Sequence, residues 1–202
     1  MVVVIGGHTR NIGKTSVVCA VIRALPDWNW TAIKIKRYGH GICSRHRGLC
    51  DCPDPKHPVT VSEENGASPS SDSGRFLAAG AARAFWIRTL AEELNEAMPE
   101  IHRIIAASGN TIIESNSILQ FLRPDLYAMV LNGSIPDFKA SSLRLLDRAN
   151  ALVATSDAPL AWPEVPLVLL QNKPKFIAPP PSYQGAEFVD SIRSKIAVHS
   201  RS

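Results

Sequence analysis

The sequence predicts an α/β fold, a three-layer α/β/α sandwich on a mostly parallel sheet of about seven strands. Two observations carry that expectation. Short apolar runs bounded by turn residues alternate with segments of helical period along the chain, and strands separated by helices join through crossovers that pair them in parallel. The first such unit stands at the start: Val2-Val3-Val4-Ile5, a glycine-bearing loop, then an amphipathic segment from Val17 to Leu25. With 202 residues, 45% of them hydrophobic, the chain can bury one sizeable core, and residues 1–202 read as a single domain.

The loop of that first unit is Gly6-Gly7-His8-Thr9-Arg10-Asn11-Ile12-Gly13-Lys14-Thr15-Ser16. Strand, glycine loop, Gly-Lys-Thr and helix follow the order of a phosphate-binding P-loop, in which inward-turned N–H groups and the positive end of the helix surround an anion. Gly7, Asn11, Ile12, Gly13, Lys14, Thr15 and Ser16 are therefore the candidate nucleotide-binding residues. Lys14 would reach the β and γ phosphates, and the Thr15 hydroxyl would ligate Mg²⁺. The spacing departs from the common rule of four residues between the glycines: five separate Gly7 from Gly13, or else His8 stands at the first glycine's place. A plain strand-to-helix turn with Lys14 solvated is the competing reading.

Trp30 to Lys36 reads as the second strand, its alternation placing Lys34 and Lys36 on one face with Ala32, and Ile33 and Ile35 on the other. Carboxyl ends of parallel strands face the ligand crevice, so Lys36 and Arg37 are expected beside the bound phosphates, with Lys36 holding an acidic acceptor. Residues 38–74 lack any sustained period and read as one long loop, of a kind that is functional or mobile. Inside it, His40, Cys43, Cys50 and Cys52, followed by His57, offer the thiol and imidazole donors that Zn²⁺ takes. Transient metal or redox chemistry and ordinary reduced thiols in a flexible loop are the alternatives to a structural zinc site. Asp72 closes the loop, either as a helix cap or as a carboxylate for Mg²⁺.

Ala84 to Arg88 reads as a short strand and Leu90 to Ala107 as a helix that Pro99 interrupts, with a kink or two helices meeting there. Thr111-Ile112-Ile113-Glu114 brings an acid to the end of an apolar strand, the place where a carboxylate holds Mg²⁺ opposite a P-loop, so Glu114 joins Lys14 and Lys36 as a candidate catalytic residue. Leu126 to Leu131, Ala151 to Thr155 and Val165 to Leu170 supply three more buried strands, Ser141 to Arg148 and Phe188 to Ile196 two more helices. After the last of those strands comes Gln171-Asn172-Lys173-Pro174-Lys175. The Asn-Lys pair is similar to the base-reading Asn-Lys-x-Asp of GTP-binding proteins, with Lys175 where the acid would be. Asn172 thus reads as a base contact or a turn asparagine, and the choice between ATP and GTP stays open.

A glycine, five residues and Gly-Lys-Thr at the very start of the chain resemble dethiobiotin synthetases and cobyrinic acid amidases, P-loop NTPases of the SIMIBI type. The MobB accessory proteins of molybdopterin-guanine dinucleotide biosynthesis are similar in further places: a lysine ending the second strand with histidines after it, the Asp72-Ser73-Gly74-Arg75 stretch followed by Ala79-Gly80-Ala81, and Glu114 at its strand's end. Those relatives carry Glu-Gly where this chain has Glu114-Ser115. The resemblance implies the P-loop NTPase fold, ATP or GTP with Mg²⁺, Asp72 beside the nucleotide, an acceptor carboxylate activated as an acyl phosphate, and a homodimer.

A net charge of +4 and a pI near 9.0 suit a nucleotide and a small anionic substrate; they fall short of the basic density of a nucleic-acid binder. The local group Lys34, Lys36, Arg37, Arg45 and Arg47 reads as a phosphate or carboxylate subsite, or as solvated surface. No charged leader precedes Val2 and no apolar run approaches the roughly 20 residues of a membrane span, so a cytoplasmic protein without membrane partners is expected. Two functions fit: Mg²⁺-dependent hydrolysis or transfer of a γ-phosphoryl group, and a MobB-like accessory factor whose nucleotide state governs residues 38–74 and the delivery of a metal or cofactor to a partner protein.

Overall fold

The computed structural model describes residues 1–38, 59–90 and 93–199; His40, Cys43, Cys50, Cys52 and His57, the zinc candidates, lie outside them. Strand β1 (Val2–Gly7) leads through the glycine loop into helix α1 (Lys14–Ala24), and β2 is Thr31–Tyr38. Next come β3 (Val59–Glu63), α2 (Asp72–Ala78), β4 (Arg83–Leu90), α3 (Leu94–Ala106) and β5 (Thr111–Glu114). The second half holds β6 (Leu126–Leu131), α4 (Ala140–Leu143), β7 (Ala151–Ala154), α5 (Val168–Gln171), β8 (Lys175–Ile177) and α6 (Ala186–His199).

The eight strands form one sheet in the order β3-β4-β2-β5-β1-β6-β7-β8. Every pairing is parallel except β3 with β4, which are antiparallel. Side chains alternate through the sheet, as the pleat requires. Val3, Ile5 and Ala32 face a layer of α1, α2 and α6 residues that includes Val17, Val21, Phe76 and Phe188. Val4, Ile33 and Ile35 face the opposite layer with Leu94, Ile101 and Ile104 of α3, together with Leu146 and Trp162. This is the three-layer sandwich the alternation predicts, and it sends Lys34 and Lys36 to the α1 side with Ala32. Trp30, Phe76 and Phe188 are each at most 1% exposed, and burying a side chain of that size stabilises by about 1.5–3 kcal/mol.

Two expectations are corrected. Residues 38–74 are not loop throughout, because Val59–Glu63 pairs with β4 in the register Val59↔Thr89 to Glu63↔Phe85; the partner strand supplies order that the segment's own composition does not announce. Val165–Leu170 is not a strand: Leu169, Leu170 and Gln171 donate backbone bonds to Pro166 and Leu167 in helical turns. Its apolar content is one-sided, with Val165 and Leu170 buried and Leu167 and Val168 each 58% exposed. The edge strand is instead β8, after Pro174. At Pro99, of the kink or the two helices expected there, the chain does not form two helices: α3 runs through it as one element.

Candidate functional site

Gly6 and Gly7 end β1 at the carboxyl edge of the sheet, where the chain must pass close to its neighbours. A Cβ on Gly6 would stand 2.0 Å from the Asn116 amide oxygen, and one on Gly7 2.7 Å from Ile12 Cδ1. Asn116 fixes this point with a reciprocal pair: the Gly7 N–H donates to Asn116 Oδ1 at 2.9 Å, and Asn116 Nδ2 donates to the Gly7 carbonyl at 2.7 Å. Beyond it the loop turns on two left-handed residues, Asn11 at φ 57° and Gly13 at φ 93°. Such turns direct successive N–H groups to one side and form an anion nest. Gly13 is also the N-cap of α1, with no side chain capping the helix. Among the described residues no protein acceptor takes the N–H of Gly13, Lys14, Thr15 or Ser16, and the first helical bond runs from Val17 N–H to the Gly13 carbonyl at 2.9 Å. The loop is braced by Thr155 at the end of β7, whose hydroxyl donates to the Ile12 carbonyl at 3.1 Å, and by the Tyr183 ring against Gly13.

Lys14 Nζ donates to the Thr9 carbonyl at 2.7 Å across the loop. Burial lowers its pKa to about 8, with Glu114 opposing that fall and Lys34 and Lys139 adding to it. Glu114 ends β5, its side chain 2% exposed, and accepts from the Thr15 hydroxyl at 2.8 Å. Lys34 Nζ lies 2.5 Å from the other Glu114 oxygen and 2.8 Å from Asp72 Oδ2. Burial opposes the charge of Lys34, but Glu114 and Asp72 together outweigh it and hold the ammonium above its ordinary pKa. Burial also works against the Asp72 carboxylate, and Lys34, Thr15 and Arg75 overcome it so that its pKa is lowered.

Asp72 is not the helix cap. Ser71 takes that role, accepting from the Gly74 N–H at 3.0 Å, which frees Asp72 in the first turn of α2 to reach Lys34. Arg75, one turn on, donates to the Ser16 hydroxyl at 3.1 Å and so ties α2 to the start of α1. Ser115 accepts the Ile118 N–H at 3.3 Å and opens the short turn Ser117–Gln120.

The structure thus gathers Gly7, Gly13, Lys14, Thr15, Ser16, Asp72 and Glu114 at one edge of the sheet, with Asn11 and Ile12 in the loop between. The lysine among the carboxylates is Lys34. It is the register partner of Glu114, whereas Lys36 stands two residues further along β2 and pairs in register with Arg88 of β4. Asn172 is corrected as a base contact: it precedes β8, and its neighbour Lys173 donates to the carbonyls of Asp147 and Ala149, which precede β7. That is the amino edge of a parallel sheet, opposite the P-loop. A cleft of about 490 Å³ lined by Leu119, Arg123, Tyr127 and Arg148 also lies at that edge and contains none of the site residues. Asn116, Thr155 and Tyr183 were not legible as loop supports; only Asn116, just after the Glu114 strand, sat in a stretch the sequence marks. Among the described residues no group of three His, Cys, Asp or Glu side chains forms a metal centre, and no helix is long and apolar enough to cross a membrane.

No family model matches the chain, and no curated protein does. Solved structures do. HypB from Helicobacter pylori, in complex with nickel, superposes with a TM-score of 0.55 at 14% identity over 96% of this chain and 86% of its own. LpxK from Aquifex aeolicus, in complex with ATP, gives 0.50 at 16% identity over 87% of this chain. The chain spans about half the length of LpxK, 53%. MobB from Bacillus subtilis matches over 96% of both chains at 13% identity with a TM-score of 0.44. The parallel sheet, the glycine loop and the superposition on HypB and LpxK agree: the chain has the P-loop NTPase fold.

Proposed function

We propose that the protein binds a nucleoside triphosphate with Mg²⁺ at the loop of residues 7–16 and hydrolyses its γ-phosphoryl group or transfers it to a small acidic acceptor. The observation that supports this is the meeting of unpartnered α1 amides with Lys14, Thr15, Lys34, Asp72 and Glu114 at one edge of the sheet. Main-chain N–H groups and the positive helix end favour the phosphate chain. Lys14 leaves the Thr9 carbonyl for the β and γ oxygens, where its charge is better matched. Thr15, Glu114 and Asp72 offer hydroxyl and carboxylate oxygens, the hard donor set that Mg²⁺ takes, with water and phosphate filling the remaining positions. The ion would neutralise charge on the β and γ phosphates. Lys36 and Arg37, further along β2, hold the acceptor's carboxylate in this reading. ATP and GTP both fit.

The test is phosphate release by the purified protein with Mg²⁺ and ATP or GTP, with and without small carboxylates. Turnover that Lys14→Ala abolishes while circular dichroism stays unchanged is expected. Full activity in that variant, or neither binding nor turnover of any triphosphate by the folded wild type, contradicts the proposal.

A further inference from the structure

The oxygens that would hold Mg²⁺ already share a cation. Lys34 Nζ lies 2.5 Å from Glu114, 2.8 Å from Asp72 and 3.5 Å from the Thr15 hydroxyl. All three metal candidates thus converge on one ammonium. β2 and β5 fix the arrangement, because Lys34 and Glu114 are register partners on adjacent strands. The Lys34 side chain is only 14% exposed and Glu114 2%, so the pair is not a loose surface contact. A buried carboxylate beside a second one needs a positive neighbour to stay charged.

We infer that Lys34 is a built-in counter-ion standing in the metal's place, which Mg²⁺ must displace and which makes metal binding depend on the nucleotide. A divalent ion arriving alone would meet Lys34 and Lys14 around the same carboxylates, and like charges at that separation in a partly dry site are strongly disfavoured. A triphosphate changes the balance. Its oxygens give both ammonium groups new partners, so Lys34 turns from the carboxylates to the phosphates and the carboxylates pass to the metal. Metal and nucleotide then bind with positive coupling, and linkage requires the effect to be reciprocal. Lys34 acts here as a positioning residue through Asp72 and Glu114.

This inference rests on the proposed function, and the experiment separates the two. Mn²⁺ binding is followed by electron paramagnetic resonance for wild type and Lys34→Met, without nucleotide and with a non-hydrolysable ATP or GTP analogue. Wild type should bind free Mn²⁺ weakly and bind it with the analogue present far more tightly. Lys34→Met should bind free Mn²⁺ on the order of tenfold more tightly than wild type, with the coupling to nucleotide correspondingly reduced. Unchanged or weaker Mn²⁺ binding by the variant, while wild type holds Mn²⁺ and analogue together, overturns this inference alone. Failure of wild type to hold the analogue at all removes the proposed function and this inference with it. Should Lys34→Met not fold by itself, refolding in Mn²⁺ decides: recovery of the folded protein supports the displacement, and failure to recover it refutes it.

Discussion

Replacing Lys14 by methionine should make the nucleotide-free protein more stable. The ammonium is held in a largely buried loop, and a fall in pKa from 10.5 to about 8 corresponds to about 3 kcal/mol spent in keeping it charged at neutral pH. Methionine keeps the stem that packs beside Gly7 and removes that cost. It also removes the bond to the buried Thr9 carbonyl, a loss of about 1–2 kcal/mol. The net gain is about 1–2 kcal/mol, or about 5 °C in melting temperature for a chain of this size. In the same variant a saturating triphosphate should no longer raise the melting temperature, whereas wild type at a hundredfold excess over Kd gains about 2.7 kcal/mol. Differential scanning calorimetry with and without Mg²⁺ and nucleotide reads both effects. A destabilised apo variant, or one that nucleotide still stabilises, would refute the reasoning that the loop holds a costly charge for an anion.

Three further outcomes follow from the same geometry. Gly13→Ala places a Cβ at φ 93°, 2.4 Å from the Tyr183 ring; urea denaturation should show a loss of about 2 kcal/mol from backbone strain and crowding, with part recovered by adding Tyr183→Ala. Asn116→Ala leaves the Gly7 N–H and carbonyl without their partner and should cost about 1–3 kcal/mol in the same assay, a neutral result contradicting the assigned brace. The pH dependence has a defined sign, because the folded pKa of Lys14 lies below its unfolded value. Below about 8 the cost is constant; between about 8 and 10.5 the unfolded chain binds more protons, so this group's contribution to stability rises with pH. Phosphate contact favours the ammonium, so nucleotide affinity should weaken above about pH 8, with proton uptake on binding that calorimetry in buffers of different ionisation enthalpy detects.

The sequence made residues 2–25 legible because three local signals agree there: a β-branched run, glycines where the chain turns, and helical period directly after Gly-Lys-Thr. Alternation in β2 likewise located the faces of Ala32, Ile33, Lys34 and Ile35. It could not choose between Lys34 and Lys36, since both share a face; the choice is made by the register of β2 against β5, a contact eighty residues away in sequence. The same kind of information was missing for β3, whose order comes from β4, and for Asn172, whose distance from the P-loop follows from which apolar segment becomes the edge strand. In Val165–Leu170 an apolar run without a clear period fits a short helix as well as a strand, and the exposed Leu167 and Val168 show which one forms. Asp72 was half legible: the acid was marked, but Ser71 beside it is the better cap and leaves the carboxylate to Lys34.

The most direct measurement is an amide nuclear magnetic resonance titration of the ¹⁵N-labelled protein with Mg²⁺ and a non-hydrolysable nucleoside triphosphate. The N–H signals of Gly13, Lys14, Thr15 and Ser16 should move together and saturate at one equivalent, with the bare tripolyphosphate chain reproducing most of the shift. If those signals stay still while the folded protein binds the analogue elsewhere, or if no triphosphate binds at all, the loop of residues 7–16 is not an anion site and the account fails.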